Sequence, residues 1–188
     1  MHKSLHKAHP WHGVDPRCQP PDLVDCVIEI SRGSRTKYEV DKISGLLRLD
    51  RVLFSSFHYP VNYGFVPKTL ADDHDPLDIL VLSLADILPL SLVTARIIGV
   101  MRMEDNGLPD DKLLAVAVGD PSVSHIRSLK ELPDHWLREV QNFFEEYKKL
   151  ENKKTLVEGF LQAEDAWAIL QRSFVSYEKH FASVEKGT

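Results

Sequence analysis

Carboxylates carry the first chemical signal in this chain. Asp72, Asp73, Asp75 and Asp78 fall within one short window, and Glu104, Asp105, Asp110 and Asp111 within a second. Each window abuts an apolar run, Ile79 to Leu82 and Leu113 to Val118, so the acids sit at strand ends where a rigid scaffold can aim them. In an extended segment residues i and i+2 share a face, which puts Asp73 beside Asp75 with His74 opposite. Pro76 keeps a helix from starting there, and Asp78 opens the next strand. Carboxylates this close repel one another unless a counter-charge is present. No Lys or Arg lies between Lys68 and Arg96. A divalent cation is therefore the natural partner, and oxygen ligands suit Mg²⁺, Mn²⁺ or Ca²⁺. The loop lacks the central Gly and final Glu of an EF-hand. A lone acidic loop is ordinarily a solvated turn. Two such loops at strand ends, joined by a set of cations, argue for a site.

Lys37, Arg51, Lys112 and Lys148 each sit beside acids or tyrosines in strand or helix contexts. Lys37 and Glu39 share one face of a strand, with Tyr38 on the other. The aromatic stretch Tyr59 to Phe65 offers two phenols, Tyr59 and Tyr63, as hydrogen-bond donors. Tyr147-Lys148-Lys149 closes a helix, where cations also complement the helix dipole. Metal-holding aspartates ringed by Arg, Lys and Tyr are the equipment of phosphoryl transfer. Metals neutralise phosphate oxygens and acidify water. Cations and phenols hold the leaving phosphate. No phosphate-cradling Gly-rich loop ending in Lys-Ser/Thr and no Gly-x-Ser-x-Gly elbow is present, so water is the simpler nucleophile.

The elements that must position these residues can be read from pattern. The chain has 188 residues, 43% of them hydrophobic, enough for one domain with a real core. Residues 1–22 are polar and Pro-rich and read as an extended arm; residues 23–188 read as one barrel domain. Strands are expected at Val24 to Ile30, Thr36 to Val40, Leu46 to Leu49, Asp78 to Leu84, Val93 to Met103 and Leu113 to Val118. Helical spacing follows Pro133, through Trp136, Val140, Phe143 and Tyr147, and again from Glu164 to Phe181. The expected class is α+β, mainly β: a small distorted closed β-barrel of OB-like type, flanked by two C-terminal helices.

Charge and composition exclude other classes. With 28 Asp+Glu against 23 Lys+Arg the chain has no basic footprint for nucleic acid. Its longest apolar run, Ile79 to Val93, is broken by Asp86 and Pro89, so no membrane span is expected. The first residues show no apolar signal segment, and Cys18 and Cys26 are too few for a disulfide framework, which points to reduced thiols in a cytoplasm.

Taken in order, these blocks resemble the soluble inorganic pyrophosphatases of family I: Glu29, Lys37-Tyr38-Glu39, Asp50-Arg51, Tyr59-Pro60-Val61-Asn62-Tyr63-Gly64, Asp73-His74-Asp75-Pro76-Leu77-Asp78, Asp105 to Lys112, and Phe143 to Lys148. The resemblance runs from about residue 9 to 181, and His9-Pro10-Trp11-His12 with Asp110-Asp111-Lys112 point to the plant-type branch. It implies Mg²⁺-dependent hydrolysis of pyrophosphate, with several ions per site and Mn²⁺ or Zn²⁺ as substitutes. Asp73, Asp78 and Asp110 would hold the first metal, Asp78 bridging to a second. Asp105 and Asp110 would hold a third, and Glu39 would help hold a fourth. Asp75 would accept the proton of the attacking water. Lys37, Arg51, Tyr147 and Lys148 would bind the phosphates together with Tyr63 and Lys112, of which Lys37, Arg51 and Tyr63 would also serve catalysis, and Glu29 would complete the shell. A homo-oligomer is implied as well.

Three departures from that family's pattern stand out. His74 replaces a small or turn-forming residue; it is expected to point to solvent, although an imidazole there would favour Mn²⁺ or Zn²⁺. Asn106 is the neutral amide of the plant-type branch, and Leu90 stands where Gly is common. The histidines His2, His6, His9 and His12 read as part of the arm rather than as a metal site. Two competing functions are a non-catalytic metal- or phosphate-binding barrel, and a hydrolase of broader phosphoanhydrides such as nucleoside triphosphates.

Overall fold

The computed structural model describes residues 9–185, with side chains to Phe181. Nine strands and two helices follow one another as β1 (Leu23–Ile30), β2 (Thr36–Val40), β3 (Leu47–Val52), β4 (Asn62–Phe65), β5 (Asp78–Leu82), β6 (Leu92–Asp105), β7 (Leu108–Pro109), β8 (Lys112–Ala117), α1 (Asp134–Glu146), β9 (Thr155–Gln162) and α2 (Ala163–Glu185).

Strands β1, β4, β5, β8 and β6 pair in that order, and β1 pairs again with β6, which closes a five-strand ring. Closure removes the exposed edges that an open sheet would leave. Among the described residues only β5 and β8 run parallel. The long β6 also carries β7 and β9, and its register breaks at Ile97/Gly99 and Arg102/Met103 let it serve all these partners. Strands β2 and β3 form a separate hairpin.

The strand runs are apolar on both faces because both faces are covered. Ile79, Val81, Leu113 and Ala115 join a cluster with Ala166 and Leu170 of α2. Their neighbours Leu80, Leu114 and Val116 point the other way, into a cluster with Val140, Phe143 and Phe144 of α1. The α2 stripe continues to Tyr177 and Phe181, which pack with Trp11, Val27, Phe65 and Leu70. Trp11, inside the expected arm, is thus buried against the barrel.

The expected mainly-β ring with two C-terminal helices is what forms. Strand β4 lies in the aromatic stretch Tyr59 to Phe65, where no strand is expected because Pro60 and Gly64 punctuate it. It pairs with β1 and β5 instead, since Gly64 lets its backbone lie against Val27 and Ile28. Strands β7 and β9 are further additions to the expected set. Asp73 and Asp75 were expected on one face of an extended segment. The segment is a turn: the His74 N–H donates to the Ala71 carbonyl, the Ala71 N–H donates to the Asp75 carbonyl, and His74 has φ +67°.

Candidate active site

Most of the residues singled out by chemistry line one cavity of about 250 Å³ at an end of the ring. Register explains much of this. In the parallel β5–β8 pair, Asp78 lies opposite Lys112. Asp78 also pairs with Phe65 of β4, two residues from Tyr63. The Lys112 ammonium, fully buried, lies 2.6 Å from Asp78 Oδ2 and 2.7 Å from Asp110 Oδ1. It also sits over the rings of Tyr63 and Phe144, 5.6 and 5.5 Å from their centroids, where ring quadrupoles favour a cation. Burial works against its charge, but Asp110 and Asp78 override that and lift its pKa well above the lysine norm. The Tyr63 hydroxyl donates to Asp78. Burial, with the Asp78 charge behind it, pushes the Tyr63 phenol well up, so it stays a donor.

The remaining contributors arrive from other elements. Asp105 ends β6, and Lys148, just past α1, reaches it at 2.5 Å. That contact, rather than capping of the helix end, is the bond Lys148 makes. Tyr147 stacks on Phe143 within the α1 cluster, and burial raises its phenol. Strand β2 supplies Lys37 and Glu39, ion-paired to each other, with Lys37 also 3.2 Å from Asp50. Burial opposes the charge of Lys37, yet Glu39 and Asp50 raise its pKa. Glu29 on β1 accepts the Val40 N–H at 2.6 Å. Burial pushes its carboxyl up to about 8. Burial, then the charges of Asp78, Asp110 and Asp75, raise Asp73 to about 6. Asp75 is ion-paired to Lys42.

Arg51 is the exception, since it does not line the cavity. It lies opposite Lys37 in the hairpin register and binds Glu151 at 2.8 Å and Asp50 at 2.5 Å. Its Nη2 is buried with no hydrogen-bond partner. His74 is exposed and outside the cavity. Tyr59, Lys42 and Trp11, to which the sequence pattern assigns no role in the site, line it as well. Tyr59 was visible as a phenol, Trp11 as part of a motif; for Lys42, only its place three residues after Glu39 could have been noticed. His9 and His12 are spent on the arm: His9 Nδ1 accepts from the Trp11 N–H, and His12 Nδ1 meets the Tyr177 hydroxyl at 2.7 Å. His2 and His6 lie outside the described residues.

The donor set fits divalent cations. Glu29, Glu39, Asp73, Asp75, Asp78, Asp105 and Asp110 face only Lys37, Lys42, Lys112 and Lys148, seven carboxyl groups against four ammoniums. Burial first, then the charges of neighbouring acids, raises the pKa values of Asp73 and Asp110, with Lys112 working against the rise at Asp110. Among the described residues no three such groups converge on one point, and Lys112 occupies the space between Asp78 and Asp110.

A cavity at the end of a closed barrel, rich in carboxylates and edged by lysines and phenols, defines a protein built for metal ions and a small polyanion. The family model for inorganic pyrophosphatase matches residues 26–178. Soluble inorganic pyrophosphatase 2 of Chlamydomonas reinhardtii is 49% identical over 174 residues, 93% of this chain and 91% of that protein. Soluble inorganic pyrophosphatase of Oryza sativa subsp. indica is 49% identical over 170 residues, 90% of this chain and 79% of that protein. The solved inorganic pyrophosphatase of Thermus thermophilus superposes with TM-score 0.87 at 37% identity, covering 91% of this chain and 99% of that one. The chain belongs to the inorganic pyrophosphatase family.

Proposed function

We propose that this chain hydrolyses inorganic pyrophosphate to two orthophosphates. The observation that carries the reading is the surplus of carboxylates over lysines in one small cavity, together with family membership. Asp73, Asp78, Asp105, Asp110 and Glu39 would hold divalent cations, Mg²⁺ first, with Mn²⁺ or Zn²⁺ as substitutes. Bound ions neutralise phosphate oxygens and acidify water. Asp75 takes a proton from the attacking water as its oxygen bonds to one phosphorus and the bond from that phosphorus to the bridging oxygen breaks. Lys37, Arg51, Tyr147 and Lys148 hold the phosphate oxygens and the charge that develops on the leaving phosphate. Lys112 and Tyr63 hold Asp78 and Asp110 in place, and Glu29 holds the end of β2.

Among the described residues no helix is long and apolar enough to cross a membrane. Cys18 and Cys26 are free thiols, which suits a reducing cytoplasm. Leu46, Leu49, Val52 and Phe54 are exposed along the β2–β3 hairpin and favour a homo-oligomer. Phosphate release from pyrophosphate and from ATP, each with Mg²⁺ and then Mn²⁺, tests the substrate. Turnover of pyrophosphate far above ATP with Mg²⁺ is expected. Equal rates on both would move the assignment to a general phosphoanhydride hydrolase.

A further inference from the structure

Lys42 belongs to none of the roles above, yet its ammonium reaches across the mouth of the cavity to Asp75. The two residues come from different units: Asp75 from the turn before β5, Lys42 from the tip of the β2–β3 hairpin. That hairpin is separate from the ring and has to be held in place. Three observations show how. Glu29 of β1 accepts the Val40 N–H, which fixes the end of β2 two residues before Lys42. The Val40 side chain packs on the cluster around Trp11. Asp41 then locks the tip, accepting from the Ser44 N–H at 2.8 Å and from Arg48.

The Asp75 side is tied to the same tryptophan. Trp11 Nε1 donates to the Thr69 carbonyl at 2.8 Å, and the Lys68 N–H donates back to the Trp11 carbonyl. Thr69 Oγ1 accepts the Leu77 N–H at 2.8 Å, closing the loop that carries Asp75. One arm residue thus braces both sides of the contact.

We propose that Lys42 is a positioning residue for the hydrolysis: it holds the Asp75 carboxylate in the lining of the cavity. The inference rests on the pyrophosphatase reading and on Asp75 as the base. Both side chains are about half exposed, 54% and 49%, so the pair adds little to stability. Its effect belongs in turnover.

Steady-state kinetics with pyrophosphate and Mg²⁺ on wild type, K42A, K42R, D75N and the K42A/D75N double variant test it. K42A is expected to lose about 10- to 100-fold in kcat, the range for a misplaced reacting group. Its KM should stay within about twofold and its melting temperature should not move. K42R should recover most of the loss, and the double variant should be no slower than D75N alone. An active wild type with K42A at full kcat overturns this inference alone. So does a raised KM at constant kcat, which puts Lys42 on the substrate, or additive losses in the double variant. An inactive wild type overturns the pyrophosphatase reading with it.

Discussion

A buried lysine needs a reason to stay charged, and Lys112 has two, Asp78 and Asp110. Removing one partner of a buried ion pair leaves uncompensated charge, at a cost of about 3–5 kcal/mol. Lys112→Met is therefore expected to lower stability by that order in chelator, read by urea unfolding, and added Mg²⁺ should return part of it. Glu29 works in the opposite sense. Burial lifts its carboxyl from the ordinary 4.5 to about 8, so the folded state holds the proton more tightly than the unfolded chain does. Its contribution is complete below about pH 4.5 and is lost as pH rises toward 8. Glu29→Gln keeps an acceptor for the Val40 N–H and removes the charge. In metal-free protein the variant should gain stability relative to wild type across that window, and urea midpoints at pH 5 and pH 8.5 measure it. An equal difference at both pH values would show that burial does not hold the proton on Glu29. The sequence made these acids visible as clusters, but only the fold shows which cation each one meets.

At the scale of elements, Gly64 shows what local pattern conceals. A Cβ there would lie 1.9 Å from the Val27 carbonyl oxygen, a backbone atom that cannot step aside. Gly64→Ala should cost about 3 kcal/mol or more, lowering the melting temperature by about 6–12 °C. A melting temperature within a degree of wild type would mean that β4 does not lie as close to β1 as described. The same glycine hid β4 from the sequence, since Gly next to aromatics and Pro reads as loop until its partners are known. Leu90 and Asn106 were legible as departures from a family pattern, and both adopt the left-handed conformation, φ +66° and +52°, that favours Gly or Asn. The helices were the easiest to read, because Val140, Phe143 and Phe144 in α1 and Leu170 and Phe174 in α2 keep helical spacing on the buried face. Strand β9 was hidden because Gly159 interrupts it and its outward residues are mixed in character.

At the scale of the whole molecule, closing the ring does the work of assembly. Asp73 and Asp110 are far apart in sequence, and the parallel β5–β8 pairing brings their two loops to one end of the barrel. Spacing along the chain marked each loop as a cluster of acids at the start of a strand. It could not forecast that α1 would deliver Tyr147 and Lys148 to the same cavity, or that Trp11 would close its side, because those contacts depend on how the helices and the arm pack on the ring. Hydrolysis of pyrophosphate in this cavity, with Asp75 proposed as the base, binds these elements into one function. Phosphate release from pyrophosphate by the purified protein, in Mg²⁺ and in chelator, beside Asp75→Asn in Mg²⁺, tests it most directly. Many turnovers are expected in Mg²⁺, none above background in chelator, and a loss of about 10²–10⁴ in kcat for Asp75→Asn with the fold intact. Turnover that persists in chelator, or an Asp75→Asn variant as fast as wild type, would contradict it.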